Sequence, residues 1–139
     1  YNQLKLRESI KVRYANENAL NLQEVNFSNA DETFLMKFNN LILEHISDSE
    51  LNVSFLASNM CISRSLLFNK IKALTGMGII DYMNKIRIER ASFLLTTTSM
   101  TLTEISELAG FSSLRYFRQV FKVHKNMTPS EYKKQMTNE

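Results

Sequence analysis

Arg115, Arg118, Gln119 and Lys122 lie in the ten-residue run SLRYFRQVFK, Ser113 to Lys122, which holds three positive charges, two phenylalanines, a tyrosine and no acid. Arginine can grip guanine O6 and N7 with two hydrogen bonds, and glutamine or asparagine can do the same with adenine N6 and N7. An apolar tip can touch a thymine methyl. Fifty residues upstream, SRSLLFNKIK, Ser63 to Lys72, has the same skeleton: serine first, apolar residues fifth and ninth, lysine tenth. Any account of the cations and aromatics has to cover both copies.

Helical periodicity separates the two residue classes. Leu67 and Ile71, like Phe117 and Phe121, stand four residues apart and face a core. The residues half a turn away then point outward: Arg64, Ser65, Phe68, Asn69 and Lys72 in the first copy, Leu114, Arg115, Arg118, Gln119 and Lys122 in the second. Arg115 and Arg118 are candidates for guanine, Asn69 and Gln119 for adenine, and Leu114 or Phe68 for a thymine methyl. Arg64 and Ser65 complete the base-facing set, with phosphate the alternative for Arg64 and packing on Tyr82 the alternative for Phe68. Ser63 and Ser113 open their helices beside free backbone amides, and with Lys72 and Lys122 they suit phosphate. Phe111, Phe117 and Phe121 are assigned to the core rather than to base stacking.

The elements that must hold these residues can be read in order, and all are helical. Residues 1–30 are expected to form a connector helix, with Leu4, Ile10 and Tyr14 at loose helical spacing, and then a linker. Asp31 is the expected cap of a helix with a stripe of Phe34, Phe38, Leu41, Ile42 and Ile46. A first helix-turn-helix is expected at about 53–75, ended by Gly76, and a connecting helix at about 78–96. A second helix-turn-helix follows at about 102–124, opened by a capping box of Thr101 with Glu104. Thr128, Pro129 and Glu131 repeat the capping-box logic, so a last helix is expected at about 129–136. The prediction is an all-α domain of about seven helices, two helix-turn-helix subdomains joined by a long central helix and preceded by the connector.

An internal repeat underlies this order. Ser63 matches Ser113, Leu67 matches Phe117, Ile71 matches Phe121, Lys72 matches Lys122, Gly76 matches Asn126 and Tyr82 matches Tyr132, all at an offset of 50. Ahead of them, Cys61-Ile62 matches Gly110-Phe111 and Leu56-Ala57 matches Ile105-Ser106 at an offset of 49. Each copy reads as a short helix, a tight turn and a longer helix, with small Ala57 or Ser106 where the two must cross closely. In that pattern the second helix lies in the DNA major groove while the first braces it.

Composition narrows the alternatives. The 139 residues are 44% hydrophobic with three glycines and one proline, which leans helical. Residues 1–62 carry five Lys/Arg against eight Asp/Glu, and residues 63–139 carry twelve against six, so the basic excess points a polyanion towards the C-terminal half. One cysteine, Cys61, is assigned to packing in a turn; it and the isolated His45 and His124 make no metal spacing, so no metal or cofactor is expected. No paired carboxylates or nucleophile with base converge, which disfavours an enzyme. The rival to DNA binding is a helical module whose basic face takes an acidic protein, a reading that leaves the repeat unexplained. Lys85, Arg87 and Arg90 with Glu89 read as a solvated face on the connecting rod.

The stretch LTEISELAGFSSLRYFRQVFKVHKNMTPSEYK, Leu102 to Lys133, resembles the signature of the AraC/XylS family of bacterial transcription regulators, through GFSS, the YF-x-x-x-FK run and M-T-P-S-E-Y. The first copy agrees through LA, IS, TGM, DYM and IRIERASFLL, and the likeness spans about residues 31–136. SRSLLFNKIKALTG and the preceding D-E-x-FL are most similar to the C-terminal domain of hybrid two-component regulators of Bacteroides-type bacteria. The resemblance implies two recognition helices in successive major grooves of double-stranded DNA, held about 34 Å apart by the central helix. It also implies a receiver domain upstream of residues 1–30, RNA polymerase as a partner, homodimerisation, and a cytoplasmic place at the end of a membrane-anchored sensor, with any histidine kinase activity elsewhere in the full protein. Two departures stand out. Lys125 and Asn126 replace an aromatic residue and glycine, and Ser106 replaces alanine.

Overall fold

In the computed structural model, residues 28–137 are described, and seven α-helices account for their regular structure without a strand among them. The connector helix expected at the N-terminus lies outside the described residues. The chain divides into two compact units, residues up to Leu41 and residues from Ile42 onward.

Helix α1, Asn29–Glu44, is capped by Ser28, whose Oγ accepts from the Asp31 amide at 3.1 Å. The expected cap, Asp31, instead sits in the first turn with Glu32, where a carboxylate favours the positive end of the helix. Both residue types cap well, so local sequence did not separate them. Leu35 and Phe38 are buried on the helix, as is Ile42, while Phe34 and Leu41 of the expected stripe are half-buried.

From Ile42 onward the two helix-turn-helix copies are built alike. In the first, α2 covers Val53–Asn59 and α3 covers Arg64–Thr75; in the second, α5 covers Leu102–Leu108 and α6 covers Leu114–Lys125. Between them runs α4, Ile79–Thr97, about 28 Å long at 1.5 Å per residue. The last helix, α7, covers Pro129–Thr137. Helix α4 contacts α3, α5, α6 and α7, which makes it the common wall of the domain.

The expected start signals form. Thr101 and Glu104 close a reciprocal capping box, and Thr128 does the same with Glu131 at 2.8 and 3.1 Å, so two orphan amides are satisfied at each helix start. Ala57 and Ser106 are both buried where the paired helices cross, and Ser106 Oγ donates to the Thr103 carbonyl at 3.0 Å, which satisfies its hydroxyl in place. Asn126 caps α6 at φ 60°, the left-handed conformation that Gly76 holds at φ 74° after α3, so the departure from glycine leaves the turn intact.

The second core contains Ile88, Ala91 and Leu95 of α4, Ile105 and Ala109 around α5, and Phe111, Phe117, Val120 and Phe121. A ladder of rings crosses it: Phe111 to Phe117 at 5.2 Å, Phe117 to Phe121 at 5.8 Å and Phe121 to Tyr132 at 5.5 Å. Offset and edge-on contacts of this kind add to the area each ring buries.

Candidate nucleic-acid interface

Helix α3 begins at Ser63, whose Oγ accepts from the Leu66 amide at 3.1 Å, and α6 begins at Ser113, whose Oγ accepts from the Tyr116 amide at 3.1 Å. Each serine is expected to hold phosphate; each uses one oxygen lone pair on the cap and keeps its O–H to donate. The two helix starts are therefore chemically equivalent.

Leu67 and Ile71 on α3, like Phe117 and Phe121 on α6, are fully buried. Ser65, Phe68, Asn69 and Lys72 are exposed away from them on α3, as are Arg115, Arg118, Gln119 and Lys122 on α6, while Arg64 is exposed in the first turn of α3 on the side of Leu67. The phenylalanines and cations of the SLRYFRQVFK run thus occupy opposite sides of one helix. Leu114 differs from its expected place: it is half-buried and packs against the second core, because it stands three residues before Phe117 and seven before Phe121 and so shares their side of α6. Phe68 stays 44% exposed while Tyr82 is buried, so packing on Tyr82 does not cover it.

No Asp or Glu occurs between Glu50 and Asp81, or between Glu107 and Glu131, so both outward faces sit in acid-free stretches. Lys72 Nζ donates to the Gly76 carbonyl at 3.3 Å, across the C-terminal end of α3 where a cation meets the helix dipole favourably. Arg64 reaches Ser54 Oγ of α2 at 3.5 Å. Lys122 lies near enough to Glu131 to help lower its pKa, after the backbone and side-chain hydrogen bonds from Thr128. Lys125 is held by Glu89 at 3.1 Å and lies over the Tyr132 ring, so it braces α6 against α4 and α7.

Several functional-looking residues were misread or missed in the sequence. Arg87 is buried, not part of a solvated face; its Nη2 donates to the Asp48 carbonyl at 3.1 Å, and burial pulls its guanidinium below the ordinary arginine range. Asn84 is also buried, and its Nδ2 donates to Tyr116 Oη at 3.1 Å. The signal was available, since Asn84 shares a helical stripe with Ile88, Ala91 and Leu95. Cys61, assigned to packing, is exposed at φ 62°. His124 is half-buried on α6, and desolvation lowers its pKa. His45 follows α1 and stands edge-on to Phe55 at 4.9 Å.

A family model described as a helix-turn-helix domain matches residues 56–135, more than half of the chain. The arabinose operon regulatory protein of Escherichia coli is 30% identical over 92 residues, 66% of this chain and 32% of that protein. The chain belongs to the AraC/XylS family. It carries the helix-turn-helix domain of that family of DNA-binding transcription regulators. Histidine kinase P4 of Formosa agariphila is 32% identical to this AraC-type chain over 131 residues, which is 94% of the chain but 10% of the kinase. The solved C-terminal domain of the two-component response regulator yesN from Fusobacterium nucleatum matches with a TM-score of 0.66 and 34% identity, over 76% of this chain and 99% of that one. The AraC-type domain thus spans about a third of the arabinose regulator and a tenth of the kinase. Among its described residues, no helix is long and apolar enough to cross a membrane and no group of His, Cys, Asp and Glu could hold a metal.

Proposed function

We propose that this domain is the DNA-reading output module of a two-component signalling protein, and that α3 and α6 enter successive major grooves on one side of a duplex. The observation that carries this reading is the matched pair of serine-capped helices, each with a buried apolar edge and an exposed basic or amide-bearing edge in an acid-free stretch. Arg64, Ser65, Phe68 and Asn69 read base edges from α3, and Leu114, Arg115, Arg118 and Gln119 read them from α6. Ser63, Lys72, Ser113 and Lys122 hold the phosphates on either side. Half-buried Leu114 reaches a thymine methyl only with its exposed portion, so α6 reads mainly through its two arginines and Gln119.

Residues 1–30 connect to a receiver domain upstream in the same chain, a role supported by the likeness to the yesN domain and to the kinase from Formosa. Two copies come together on DNA and present their surface to RNA polymerase in the cytoplasm, at the inner end of a membrane-anchored sensor. Selection of bound duplexes from a random pool tests the core of this reading. The expected result is a site with two conserved subsites about one helical turn apart, bound with an affinity that falls steeply as salt rises. Enrichment of no sequence, together with capture of an acidic protein by the same face, would replace DNA with a protein partner.

A further inference from the structure

The geometry points to Asn84 and Tyr116 as a positioning pair: their hydrogen bond sets the bearing of α6 on α4, and through it the subsite spacing that the domain accepts. This rests on the two-headed reading above. Tyr116 is held at three points. Its amide bonds Ser113 Oγ at 3.1 Å, its ring stands edge-on to Phe111 at 5.9 Å, and its hydroxyl accepts from Asn84 Nδ2 at 3.1 Å. Only the last of these ties it to the connecting helix.

Apart from the partly exposed Lys125–Glu89 ion pair at the far end of α6, α4 and α6 meet through apolar residues, Ile88, Ala91 and Leu95 against those around Phe117, Val120 and Phe121. Apolar burial is non-directional, so such a seam resists separation far more than it resists a small slide or roll. A hydrogen bond from buried Asn84 to the hydroxyl of Tyr116, itself 41% exposed, has a narrow range of good geometry, and at the start of α6 it narrows that freedom. Its place gives it leverage, because Tyr116 adjoins Arg115 and precedes Arg118 by two residues, both among the residues proposed above to read DNA.

The choice of residue argues the same way. Asn84 continues the Ile88, Ala91 and Leu95 stripe, where a leucine would extend the core without placing an amide out of water. An amide at that position adds direction where an apolar side chain would add only area. One turn further along, Arg87 Nη2 donates to the Asp48 carbonyl at 3.1 Å, so α4 is anchored in the same region to the chain that follows α1. The helix that orients α6 is itself held in place.

The test measures dissociation constants for the wild type, Tyr116→Phe, Asn84→Leu and the double variant on duplexes derived from the selected site. The separation of the two subsites is shortened or lengthened by one or two base pairs, and a further duplex has the α3 subsite scrambled. The wild type should bind one spacing best. Tyr116→Phe keeps the ring and removes only the hydroxyl, so it should bind the half-scrambled duplex as the wild type does, while its penalty for wrong spacing shrinks about fivefold. Asn84→Leu should do the same, and the double variant should go no further than either single variant, since all remove one bond.

A Tyr116→Phe domain that melts like the wild type and keeps the full spacing penalty overturns the proposal, as does a double variant whose loss is the sum of the singles. If Asn84→Leu fails to fold, Tyr116→Phe alone decides. Failure of the two-headed reading looks different: the wild type itself would bind every spacing equally, and the positioning role would fall with that reading.

Discussion

Cys61 and Gly110 hold the same left-handed backbone, at φ 62° and 90°, in the turns of the two helix-turn-helix copies. They are also partners in the sequence repeat, 49 residues apart. The turn geometry therefore repeats although the residue does not. The surroundings separate the two: a Cβ at Gly110 would stand 1.8 Å from the Ile46 carbonyl oxygen and 2.9 Å from Arg87 Nε, whereas Cys61 is exposed.

This asymmetry predicts opposite signs for substitutions at equivalent places. Gly110→Ala adds both an unfavourable φ and a clash with backbone, and should lower the unfolding free energy by at least about 2 kcal/mol. Cys61→Gly relieves a left-handed L-residue and should raise it by up to about 1 kcal/mol. Urea denaturation of the two variants checks the pair, and a neutral Gly110→Ala would contradict the close approach to Ile46.

On the proposed reading, Arg118→Ala should cost about 1 to 3 kcal/mol on the selected duplex and relax preference at one base pair, because the proposed bidentate contact would be lost. Lys122→Ala should weaken selected and scrambled duplexes alike and reduce the salt slope by about 1. Binding isotherms at several salt concentrations separate these outcomes. Equal losses on both duplexes for both variants would reassign Arg118 to phosphate.

His124 is expected to make the domain less stable in mild acid. Desolvation, the largest influence, together with Lys85 and Lys125, outweighs Asp81 and Glu89, so the folded-state pKa lies below the ordinary 6.5. The unfolded chain then takes up its proton first, and stability present above about 6.5 is lost as pH falls towards the folded value. Replacement by glutamine should flatten the melting temperature over that window. An unchanged pH profile would show that His124 titrates as if free.

Glu131 should act lower on the pH scale. Hydrogen bonds from the Thr128 amide and hydroxyl hold its carboxyl below the usual 4.5, so its support for α7 is complete above 4.5 and fades as pH falls through the lowered value. Thr128→Ala opens the box and should cost about 1 kcal/mol near neutrality. In the same variant the acid sensitivity of α7, followed by the amide resonances of residues 129–137, should shift towards ordinary glutamate behaviour.

The helical order, the repeat and the division of α3 and α6 into buried and exposed sides were legible in the residues themselves. Each depends on interactions within a few positions: Ser63, Ser113, Thr101 and Thr128 cap the turn that follows them, and apolar residues four apart share a face. Tertiary structure decided which polar residues would be enclosed. Helix α4 is covered by four neighbours, so Arg87 became a buried donor to a carbonyl 39 residues away and Asn84 found a hydroxyl 32 residues away. Periodicity ranks the sides of a helix but carries no record of how many other elements will lean on it. Leu114 was legible too, since it stands three residues before Phe117 and seven before Phe121 on the same helical side, whereas local pattern could not foresee Cys61 left in the open.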